Sequence, residues 1–243
     1  MNLDGYALPI KKLKGTEPVE SLDLSGKKLH VASTIVIASL ISVNGGLTEL
    51  SIYGSHVGDE GVRAICEAIQ SSKATKLTSL NFGYNGIGPV GANAVAAMVA
   101  VTGALTVTNL LKNQLDADSA MMLAEFAKQK GVSLCGIRRD QTTADFSKQS
   151  FKPPDVILLA SDLSQDIVTG SLTVTNLLRN ELDAESAKML AEVAKQKGIS
   201  LCGIQRDQTT AVFYRQGLEP PDAILLASDL SQAGVTGGLT KIE

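Results

Sequence analysis

The residues Gly86-Ile-Gly88-Pro-Val-Gly91 spell GxGxxG. Between a strand and a helix, such glycines let a backbone approach a pyrophosphate and aim a helix N-terminus at it. Here Gly88 and Gly91 recur as Gly58 and Gly61 thirty residues earlier. A nucleotide turn has no reason to repeat, so the motif reads as a turn and a close helix approach shared by neighbouring units. Cys66, Cys135 and Cys202 have no CxxC spacing and no neighbouring histidine. They are expected to be small apolar side chains, not zinc ligands or nucleophiles. His30 and His56 lack the serine or cysteine and the acidic partner that a triad needs. Asp59-Glu60, Asp116, Asp118, Asp183 and Glu185 stand where helices begin, which suits capping and is too sparse for calcium. No catalytic, cofactor-binding or metal-binding residue is therefore predicted, and the chain is expected not to be an enzyme.

The elements that position these residues follow from composition and repetition. The chain has 243 residues, 44% apolar and only 4% aromatic with no Trp, so its core must come from Leu, Ile, Val and Ala. Its net charge of −3 supplies no basic field for nucleic acid. Three cysteines make an odd number, which fits a reducing compartment better than a disulfide framework. The first fifteen residues carry no apolar secretory segment. An intracellular, cytoplasmic location is expected, and a removed transit peptide would leave no trace. The apolar stretch 31–43 is too short to cross a bilayer, and 77–111 is broken by Asn, Gly and Pro, so no membrane insertion is expected.

Leu77-Thr-Ser-Leu80-Asn-Phe82-Gly-Tyr-Asn85-Gly-Ile87 has the pattern LxxLxLxxNxI. The same frame starts at 19, 47, 77, 105, 141, 172, 208 and 239. Alternating LxL marks a short strand. Each of the first seven units then offers four small or apolar residues at i, i+3, i+4 and i+7, one face of a helix. In the second these are Val62, Ile65, Cys66 and Ile69, and in the seventh Ala223, Leu226, Ala227 and Leu230. A strand, turn and helix of this size cannot bury its own apolar edge, so neighbours must stack.

On LTELSIYGSHVGDEGVRAICEAI at 47–69 and LTSLNFGYNGIGPVGANAVAAMV at 77–99, the chain resembles leucine-rich-repeat proteins of the ribonuclease-inhibitor-like class. The later units resemble repeat proteins of unicellular algae and other protists. The resemblance covers about residues 19 to 243. It implies an α/β solenoid with a parallel sheet on the concave face, helices on the convex face, and a role in binding other proteins.

From Leu105 a 67-residue unit is repeated, with 50 identities between 105–171 and 172–238. The predicted organisation is an N-terminal extension or cap (1–18), three regular repeats (19–104), a two-repeat cassette (105–171), its copy (172–238) and the start of an eighth strand (239–243), all in one continuous solenoid. Within each cassette, 132–140 and 199–207 read as a short extra strand and a polar turn, which stretches the spacing to 36 residues.

Strand alternation sends the residues between buried positions to the open sheet face. On this basis Glu49, Tyr53, Asn81, Asn109, Leu111, Asp145, Asn176, Leu178 and Tyr214 are predicted to contact partners, with Tyr53, Leu111, Leu178 and Tyr214 as anchors. The leading reading is a protein–protein interaction scaffold. The alternatives are a peripheral structural subunit of a larger complex and, since some proteins of this repeat class act on small GTPases, a GTPase activator using Arg138, Arg139 and Arg206. The partners are unidentified proteins. The eighth strand has no helix behind it, so either it is a minimal cap or its end is covered by another protein or by another copy, which would mean self-association through the C-terminal end.

Overall fold

The computed structural model describes residues 2–243. They fall into two compact units, one ending at Gly136 and the other beginning at Ile137.

The first unit opens with two short antiparallel strands, β1 (Asn2–Leu3) and β2 (Tyr6–Ala7), and the helix α1 (Ile10–Lys14). Four layers follow: β3 (Ser21–Asp23) with α2 (His30–Ile41), β4 (Glu49–Ser51) with α3 (Gly58–Ser71), β5 (Ser79–Asn81) with α4 (Pro89–Val101), and β6 (Val107–Asn109) with α5 (Ala117–Lys130). Each strand opens two residues into the frame read from the sequence. The four pair in parallel in chain order, Leu22 beside Leu50 beside Leu80 beside Thr108. Those central residues are buried, as are Ile37, Ile65, Val95 and Leu123 from the helix stripes. The core therefore lies between one sheet and one layer of helices.

The second unit contains β7 (Thr143–Asp145), α6 (Pro153–Ser164), α7 (Asp166–Thr169), β8 (Val174–Asn176), α8 (Ala184–Lys197), β9 (Thr210–Ala211), α9 (Pro220–Leu230), α10 (Ala233–Thr236) and β10 (Lys241–Ile242). Strands β7 and β8 pair in parallel, as do β9 and β10. The two-residue frame offset holds for all four.

Asparagine at the frame's polar position ties layer to layer. The Asn85 carboxamide accepts the Ser55 N–H (2.9 Å) and donates toward the carbonyls of Ile52, Phe82 and Gly83. Asn113 accepts the Asn85 N–H and donates to Phe82 and Leu110. In the second unit Asn180 accepts from Gln149 and donates to Phe146 and Leu177. Backbone groups leaving a three-residue strand are thereby satisfied in the interior, where an unpaired one would cost about 1–3 kcal/mol.

Two expectations are corrected. The inserted segments do not form a strand. Each adds two isolated bridges to the strand before it, one parallel (Val107 with Ser133, Val174 with Ser200) and one antiparallel (Asn109 with Cys135, Asn176 with Cys202). Gly136 and Gly203 follow with φ of 79° and 76°. A chain turning this sharply leaves the ladder after one residue pair. The stripe Ala223, Leu226, Ala227 and Leu230 is not a core face either. Leu226 is half-buried, Ala223 and Ala227 are exposed and Leu230 is 41% exposed, while α9 buries Asp222, Leu225 and Asp229 instead. The twin residues Val156, Leu159, Ala160 and Leu163 are all buried, because α6 packs on α8 as the next layer.

Candidate functional site

One frame position in the turn that follows each strand is left-handed in all seven complete repeats: Gly26, Gly54, Tyr84, Lys112, Lys148, Arg179 and Arg215 have φ between 55° and 68°. A side chain costs energy there, because its Cβ crowds the carbonyl. In five repeats a large side chain is nevertheless present.

In the first unit this turn builds an aromatic shelf on the open sheet face. The Tyr53 ring stacks on that of Tyr84 (centroids 6.0 Å apart, planes at 28°), and the Lys112 Nζ lies 5.3 Å from the Tyr84 centroid. Gly83 makes the stacking feasible, since a Cβ there would meet Tyr53 Cδ2 at 2.9 Å and Asn109 Nδ2 at 3.2 Å. Tyr84 is 54% exposed. Below the shelf, Asn81 pairs in register with Asn109, and Glu49 with Ser79. Each carboxamide turns its oxygen to its own strand end, Asn81 to the Gly83 N–H and Asn109 to the Leu111 N–H. At the edge, the Ser25 hydroxyl and N–H donate to Asp23 and hold its carboxyl below the usual carboxylate range.

In the second unit Asp145 pairs in register with Asn176, and the two help line a shallow depression of about 250 Å³ with Thr143, Val174, Gly203 and Gln205. Tyr214 is 67% exposed, with the Arg215 guanidinium 5.0 Å from its ring centroid.

The structure thus brings Tyr53 and the pair Asn81–Asn109 to one face of the first unit, and Asp145 and Asn176 to one face of the second. Leu111 and Leu178 do not act as presented anchors. They are 4% and 3% exposed, and Val107 and Val174 on the same face are also buried. The reason is local: the inserted segments bridge to β6 and β8, adding chain against those strands and the residues that leave them. Tyr84 and Lys112 were missed from sequence because strand alternation stops one residue before them. The signal that could have found them is the repeated turn position itself.

The chemistry-bearing residues take structural roles. Asp59 reaches the next layer, where one oxygen accepts the N–H groups of Gly88 (2.7 Å) and Gly91 (3.0 Å). It occupies the helix N-terminus that a phosphate would use, and a Cβ on Gly91 would lie 2.6 Å from that oxygen. Sequence position suggested that Asp59 caps its own helix; it caps its neighbour's instead. Asp116 and Asp183 do cap their own helices, accepting from Ser119 (2.8 Å) and Ser186 (2.7 Å), and those hydrogen bonds hold both carboxyls low. The three cysteines are buried and unbridged, and burial pushes the Cys66 and Cys202 thiols up. His30 and His56 stack with centroids 6.5 Å apart. Arg138, Arg139 and Arg206 are exposed in the inserted turns. Among the described residues no group of three His, Cys, Asp or Glu is placed to hold a metal, and no helix is long and apolar enough to cross a membrane.

Residues 47–66 and 73–96 match the family model described as "Leucine Rich repeat". The human NACHT, LRR and PYD domains-containing protein 13 is 26% identical over 189 residues, 77% of this chain and 17% of that protein. The bovine NACHT, LRR and PYD domains-containing protein 5 is 28% identical over 121 residues, 50% of this chain and 11% of that protein. The chain thus spans less than a fifth of the length of these relatives. Among solved structures, leiomodin-1 actin-binding site 2 is similar at a TM-score of 0.46 and 16% identity, covering 53% of this chain and 76% of that one. The tropomodulin C-terminal domain of Caenorhabditis elegans gives 0.34 and 16%, covering 82% and 90%. With parallel strands alternating with helices in one shared frame, the chain carries leucine-rich repeats in an α/β fold.

Proposed function

We propose that the chain is a non-enzymatic protein–protein interaction module that binds through the open faces of its sheets. One observation carries the reading. In the first unit the side chains facing away from the core form an ordered surface, with Tyr53 and Tyr84 stacked over Gly83 and Lys112 on the outer ring. Large aromatic rings whose ordering cost is met before a partner arrives are the side chains that dominate contact energies. Glu49, Asn81 and Asn109 line this surface, and Asp145, Asn176 and Tyr214 the face of the second unit. The repeats are read as the ribonuclease-inhibitor-like class, since each of the seven complete repeats carries a helix of 11 to 14 residues. Three unbridged thiols favour action inside the cell. The uncovered stripe on α9 supports self-association through the C-terminal end, which a concentration-independent monomer mass in light scattering would remove.

The test is affinity capture from cell extract on the immobilised chain and on a Tyr53→Ser, Tyr84→Ser variant with an unchanged melting curve. The expected result is a stoichiometric protein partner that the variant loses. Equal recovery on both, or no partner at all, contradicts the reading.

A further inference from the structure

The left-handed turn position carries a cation in three successive repeats of the second unit, Lys148, Arg179 and Arg215, and all three are exposed. Lys148 and Arg179 each lie three residues beyond neighbouring strands, in register: the ladder of β7 and β8 continues past the strands as Phe146 N–H to Asn176 and Lys148 N–H to Leu178. Parallel strands lie about 4.8 Å apart, so two positive heads are anchored side by side. Buried Asp222 joins the third repeat to them. Its two carboxylate oxygens accept the N–H of Arg179 (2.8 Å) and the N–H of Glu219 (2.9 Å), fixing the Arg179 turn against the loop that carries Arg215.

Among the described residues none of the three cations is ion-paired with a carboxylate, and Arg215 rests on the exposed ring of Tyr214. Adjacent like charges repel, and a left-handed backbone disfavours any side chain; the contact with the Tyr214 ring offsets part of that cost at Arg215. The two cassettes differ at 17 of 67 positions, and charge is lost or gained at Gln114/Glu181, Met121/Lys188, Arg138/Gln205, Asp145/Val212, Lys152/Glu219 and Asp166/Ala233. At the turn position the differences are Lys112/Arg179 and Lys148/Arg215, and the positive charge is kept.

We propose that the rim formed by Lys148, Arg179, Arg215 and Tyr214 docks an acidic polypeptide segment. The inference rests on the protein-binding reading and specifies the chemistry of a partner. A polypeptide fits better than a nucleic acid, because the exposed Glu181 and Glu219 follow Arg179 and Arg215 in the same turns and the chain as a whole is negative. Separate carboxylates can meet separate cations there, whereas a continuous phosphate backbone would also meet the two glutamates.

Fluorescein-labelled oligoglutamate titrated with the full chain at low ionic strength tests this by anisotropy. The expected result is saturable binding that Lys148→Gln, Arg179→Gln, Arg215→Gln together weakens by about tenfold or more without moving the melting curve. A Lys148→Arg, Arg179→Lys, Arg215→Lys chain should retain it. No saturable binding, equal binding by the glutamine variant, or tighter and rim-dependent binding of a single-stranded oligonucleotide overturns the proposal. If oligoglutamate fails while capture of a partner through Tyr53 and Tyr84 persists, the acidic-segment inference falls alone.

Discussion

Thr175 places a hydroxyl in the interior with no hydrogen-bond partner, and Thr108 repeats the arrangement in the first unit. Leu22, Leu50 and Leu80 fill that frame position elsewhere, so the polar atom is a cost without a return. Thr175→Val should raise stability by about 1 kcal/mol, read as a shift in urea midpoint at constant slope. Asp229 is the opposite kind of buried polar group. It accepts from the Ser200 hydroxyl (2.7 Å) and from the N–H groups of Leu201 (2.8 Å) and Cys202 (2.9 Å), clamping the inserted segment to α9. Burial outweighs those donors and raises its pKa above 3.8. A raised carboxyl favours folding when protonated, so its contribution falls as pH rises from 3.8 through the raised value. Asp116 and Asp183 have the reverse sign: their contribution is present above the ordinary carboxylate range and lost as pH falls through their lowered values. Asp229→Asn should therefore flatten the decline of stability as pH rises above 3.8; an unchanged slope would refute the assignment. Neither role was legible in the sequence, where Asp229 is one more residue of a helix and nothing marks which side of that helix is covered.

The eight strands β3 to β10 lie where the LxL frame put them, and six of seven helix stripes line the core because periodicity records burial directly. The failures share a cause. Ala223 to Leu230 has the same apolar spacing as Val156 to Leu163, but spacing cannot say whether a further layer covers it. Leu163 is fully buried and Leu230 is 41% exposed, so the chain contains matched sites in different surroundings. Leu163→Ala should cost about 2–5 kcal/mol and Leu230→Ala under about 1 kcal/mol, measured by urea unfolding of both variants. Equal losses would mean that α9 is covered in solution. The open face was only partly legible. Alternation located Tyr53, Asn81 and Asn176 but also promoted Leu111 and Leu178, because a rule confined to one strand cannot see the inserted segment bridging to its edge.

The two compact units give the whole chain two sets of thiol reporters, Cys66 and Cys135 in one and Cys202 in the other. All three are buried and should be inert toward a thiol reagent while folded. The first unit has a continuous ladder of four strands, whereas the second has two ladders of two strands and the uncovered stripe of α9. In repeat proteins stability accumulates through nearest-neighbour interfaces. Pulse labelling across a urea gradient, read by mass spectrometry, should therefore modify Cys202 at lower urea than Cys66. Simultaneous labelling would show that the two units unfold together.

The left-handed turn leads to a trade-off. Glycine occupies it in the first two repeats and would suit all seven, since the Arg179 N–H that meets Asp222 belongs to the backbone and would survive the exchange. Arg179→Gly should then make the protein about 1 kcal/mol harder to unfold while removing one of its positive tips. Whatever keeps an arginine there, robustness of the folded chain is not it.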